Sequence, residues 1–84
     1  MKLSIATINN LNATALLNEG LAALRAGDRE FDLSAVERCD SSAVALLLAW
    51  RRAGQALEGS VRFVGVPAAL RSLATLYGVD ALIG

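Results

Sequence analysis

The apolar positions of this chain follow two alternating rhythms. Leu3 and Ile5, continued by Ala6 to Ile8, form a short run spaced for a β-strand, and Asn9-Asn10 end it because their side chains favour turns and helix caps. From Ala13 to Ala26 the period lengthens. Leu17, Leu21 and Leu24 fall at i, i+4 and i+7, and Leu16 widens the stripe, as on an amphipathic helix. Asn10 or Asn12 is placed to accept from the free N–H groups at the start of that helix, and Gly27 to end it in the left-handed conformation. Gly20 weakens the helix by about 1 kcal/mol relative to Ala, so packing must hold it.

In the next segment Phe31 and Leu33 share one face of a second strand, and Ser34 to Asp40 read as a polar turn. A helix is expected from Ser41 or Ser42 to about Leu57, ending near Glu58-Gly59. Its first half is apolar on almost every side, whereas Arg51, Arg52, Gln55 and Glu58 make the second half amphipathic. A helix end that is apolar all round has to be covered on more than one side. Val61 to Val64 is a third strand. Pro67 suits the first turn of the following helix, where its missing N–H costs nothing. Leu70, Leu73 and Leu76 or Tyr77 supply that helix's apolar stripe, Gly78 closes it, and Val79 to Ile83 adds a short turn or extended segment on the core. The βαβαβα order predicts an α/β fold, with helices packed on a small, mainly parallel or mixed sheet.

Composition narrows the function classes. A chain of 84 residues with 55% apolar content is expected to form one domain over residues 1–84, with a core mostly of Leu, Val and Ala. Its formal charge is zero and it has no basic block, so no nucleic-acid partner is expected. Neutrality leaves little colloidal repulsion, which suits a domain that lives bound to a partner. The single Cys39 suits a reducing compartment and reads as a small filler beside the turn rather than a redox group. No signal-peptide pattern stands at the N-terminus, and the longest apolar run, Ala43 to Trp50, is far below the roughly 20 residues that span a bilayer. A cytoplasmic domain without direct membrane insertion is the expectation.

Catalytic patterns are missing as well. There is no His, and one Cys cannot supply a thiolate cluster. The glycines follow neither phosphate-loop nor dinucleotide spacing. Asp28, Glu30 and Asp32 read as solvated residues at a strand edge. No catalytic residue, metal or cofactor is expected, and the chain does not read as an enzyme.

One stretch carries a candidate site: Asp40-Ser41-Ser42, at the start of the long helix. An Asp or Ser there caps the helix, worth about 1 kcal/mol. Alternatively, the hydroxyls stand at a positive helix end, where a phosphate or a partner's polar group is well placed.

The segment Asp32-Leu33-Ser34-x-Val36, followed by Asp40-Ser41-Ser42-Ala43-Val44-Ala45-Leu46-Leu47-Leu48, resembles the signature of STAS domains, shared by sulfate transporters and anti-sigma-factor antagonists. Gly65-Val66-Pro67, Leu70, Leu73, Ala74 and Leu76-Tyr77-Gly78-Val79 are similar to the MlaB branch, the small STAS subunits of Mla phospholipid-transport complexes. That resemblance implies a non-catalytic subunit that binds an MlaF-like ABC-transporter ATPase and, through it, a membrane permease. Such a subunit sits in the cytoplasm, peripheral to the inner membrane, and supports the maintenance of lipid asymmetry. The implied partner-binding residues are Asp40, Ser41, Ser42, Val44 and Leu48. Ser41 aligns with a Thr that matters in MlaB subunits. Ser42 aligns with the serine phosphorylated in anti-sigma-factor antagonists, so Ser42, with Ser41 beside it, is the candidate for modification in the alternative reading, a phospho-switched antagonist.

Two departures accompany the resemblance. Ala43 follows Ser42 where the family usually carries Gly, which implies a stiffer turn. STAS domains generally begin with two strands, and Met1 to Ile8 has room for one. A missing strand would leave an open sheet edge to be covered by a partner or a second copy in a homo-oligomer.

Overall fold

Residues 1–83 are described by a computed structural model of the chain. In order, the elements are β1 (Thr7–Ile8), α1 (Ala13–Arg25), β2 (Glu30–Asp32), β3 (Arg38–Cys39), α2 (Ser41–Ala56), β4 (Arg62–Val64), α3 (Ala68–Leu76) and α4 (Asp80–Ile83). This is a small α/β fold, and all its strand pairings are parallel. β1 pairs with β3, Thr7 opposite Arg38 and Ile8 opposite Cys39. β2 pairs with β4, Phe31 opposite Phe63. A bridge between Lys2 and Asp32 links the N-terminal segment to β2, so the middle segment lies between the N-terminal segment and β4.

The region from Ser34 to Asp40, expected as one polar turn, is a tight turn followed by a strand. Val36 N–H donates to Leu33 O at 3.0 Å, and the chain then re-enters the sheet as β3. Between the Lys2–Asp32 and Thr7–Arg38 pairings, the middle segment gains one residue on the N-terminal one. The turn absorbs it, as a bulge does, and splits the hydrogen-bonded ladder into two short pieces. Glu37 and Arg38 concealed this strand in the sequence. Both are exposed, yet their N–H groups donate to Ala6 O at 2.7 and 2.9 Å.

Trp50 lies at the centre of the core. Its ring is tilted against Phe31, with centroids 4.5 Å apart, and Phe31 meets Phe63 edge-on at 6.0 Å. α2 is in contact with α1, α3 and α4, which provides the cover that its apolar first half demanded. The buried line of α1 is Leu16, Gly20 and Leu24, while Leu17 and Leu21 are half-buried at its margins. Gly20 is the reason for this rotation. A Cβ there would stand 2.0 Å from Trp50 Nε1, so the glycine leaves the space that the indole occupies. The indole N–H donates to Leu17 O at 3.2 Å.

Ends of elements follow their local chemistry with some exchanges of role. Gly27 and Gly78 take the positive φ angles expected of helix stops, 101° and 72°. Asn12 occupies the cap position of α1 but makes no side-chain cap bond. Pro67 stands just before α3 as its cap residue rather than within its first turn. In α3 the core positions are Leu70 and Ala74, whereas Leu76, expected in the apolar stripe, is 76% exposed and Tyr77 is exposed too. The core position beyond Ala74 goes to Ile83. The segment after Gly78 turns into α4 and brings Ile83 inside.

Candidate functional site

β3 delivers the chain to the start of α2. Asp40 N–H donates to Ile8 O at 3.3 Å, so the sheet fixes where the helix begins. Asp40 has an extended backbone, and its Oδ1 accepts Ser42 N–H at 2.8 Å. The cap is therefore the aspartate, and neither serine is needed for it. Among the described residues, neither serine hydroxyl has a hydrogen-bond partner within the chain. Ser41 is exposed at the helix end, where the unpaired N–H groups and aligned peptide dipoles favour an acceptor or anion. Ser42 is half-buried.

The flank expected from the sequence needs correction at one residue. Val44 is only 4% exposed and belongs to the core cluster. It offers no free surface. Leu48 is half-buried and packs against the same core. The exposed apolar side of this helix start lies elsewhere. Ser42, Ala45 and Ala49 of α2 face Asn10, Ala13 and Leu17 across a groove of about 370 Å³. The heptad-like spacing of Ala45 and Ala49 was the signal for it, but these alanines could not be told from core filler in the sequence.

A second cleft, lined by Asp28, Arg29, Glu30, Ser60 and Arg62, lies away from the serines. Its charges are already engaged. Arg62 pairs with Glu30, and Arg29 Nη1 donates to Leu24 O and Asp28 O at 2.8 Å each, closing carbonyls at the end of α1. Ser34 holds the Asp32 carboxyl below its usual range, through its hydroxyl first and then its backbone N–H, which donates to Asp32 Oδ1 at 2.9 Å. Glu30 and Asp32 are thus partnered, where the sequence suggested simple solvation.

Cys39 is half-buried beside Asp40. Burial, and then the neighbouring carboxylate, push its thiol above the usual value, which disfavours the nucleophilic thiolate. No group of three or more His, Cys, Asp or Glu side chains gathers for a metal among the described residues. No helix among them is long and apolar enough to cross a membrane.

With the strand, the capped helix and the two free hydroxyls in place, comparison with known families is informative. A family model described as "Mlab, STAS domain" matches residues 2–84. The chain belongs to this STAS family. The match spans both the Asp40 helix start and the Gly65-to-Val79 region that carried the resemblance in the sequence. Neither a search of curated proteins nor one of solved structures found a significant match.

Proposed function

We propose that this STAS domain is a non-catalytic subunit of an ABC transporter that moves phospholipid, docking on the transporter's ATPase through the Ser41 end of α2. The observation that carries the reading is that Asp40 alone caps the helix, which leaves the Ser41 hydroxyl exposed at a positive helix end on a rigid strand-to-helix junction. A group positioned in this way suits recognition, because it is held by the sheet behind it and costs little ordering on binding. Membership of the MlaB-type family supports an ATPase as the partner. Through the ATPase the domain would sit at the cytoplasmic face of the inner membrane, next to a permease, and support lipid asymmetry without a cofactor of its own. Asp40 and Ser41 would hydrogen-bond the ATPase, while Ser42 and the half-buried Leu48 border the contact.

The test is co-purification of the ATPase with the full chain, together with stimulation of ATP hydrolysis. Ser41→Glu places a bulky charge at the contact without touching the cap, and loss of both readouts is expected. Undiminished co-purification and stimulation would overturn the assignment. Phosphate appearing on Ser42 after incubation with an anti-sigma kinase and ATP would replace it with the antagonist reading.

A further inference from the structure

We draw no further inference here: the strongest candidate, the uncharged groove between α1 and α2 bordered by Asn10, Leu17, Ser42 and Ala45, is an unpartnered apolar face, and nothing in the structure shows what covers it.

Discussion

Gly20 shows how a residue unfavourable to its own helix can be required by the fold. Replacing it with Ala would gain about 1 kcal/mol of helix propensity, but the new Cβ would collide with the Trp50 indole. The indole is backed by Phe31 and tied to Leu17 O, so it cannot yield without losing packing or its hydrogen bond. Gly20→Ala is therefore expected to destabilise the domain by about 1–3 kcal/mol, measured by urea unfolding followed through Trp50 fluorescence. Greater stability would show that the ring repacks freely. Cys39 supports a prediction of opposite character. Its raised pKa favours the protonated thiol in the folded state, so above the ordinary thiol pKa the unfolded chain gives up a proton that the folded chain keeps. The contribution of Cys39 to stability should thus be present at neutral pH and decline as the pH rises past that value. At pH 8 its reaction with a disulfide reagent should be slower in the folded protein than in the urea-unfolded one. A faster reaction in the folded state would restore a redox role for this thiol.

Among the elements, α2 combines two demands that are separated along its length. Its first turns bury Ala43, Val44, Leu46 and Leu47 in the core, while its very end presents Ser41. Asp40 reconciles them by taking the cap. Substituting Asp40 with Ala should cost about 1 kcal/mol of stability, read as a lower urea midpoint. A change well above 2 kcal/mol would mean that Asp40 does more than cap. The extent of α2 was legible in the sequence because a long apolar run, a polar start and a glycine-bearing end all agree. β3 was not legible, since two residues, one of them charged, carry no period. Its existence depends on partners that lie about thirty residues away in the N-terminal segment. The same reason explains Val44 and Ala45. They are adjacent and both apolar, and only the way α2 packs in the fold puts one in the core and the other beside the groove.

Over the molecule as a whole, the N-terminal segment is the exposed side of the sheet. It pairs with the middle segment at Lys2 and again at Thr7–Ile8, and no strand is described on its other side. Between these points, the N–H groups of Ser4, Ile5 and Ala6 make no backbone hydrogen bond among the described residues. Amide exchange is expected to be fast at Ser4, Ile5 and Ala6 and slow at Leu33, whose N–H donates to Val64 O at 2.9 Å deep in the structure. Slow exchange at all three would require a partner strand, and sedimentation at micromolar concentration would then reveal the second copy that supplies it.

The sequence by itself determined the alternation of α1, β2, α2, β4 and α3, though not β3 or α4, together with the span of α2, the glycine stops at Gly27 and Gly78 and the family, because each is written in local periodicity or in a contiguous motif. Tertiary structure alone decided which apolar residues are core. Leu76 and Tyr77 lost their expected places to Ile83, and Val44 went inside while Leu11 stayed out. It also decided that Asp40, rather than a serine, spends its side chain on the helix. Such outcomes depend on the direction each side chain faces once distant segments pair, and that direction is fixed by contacts between residues far apart in the chain.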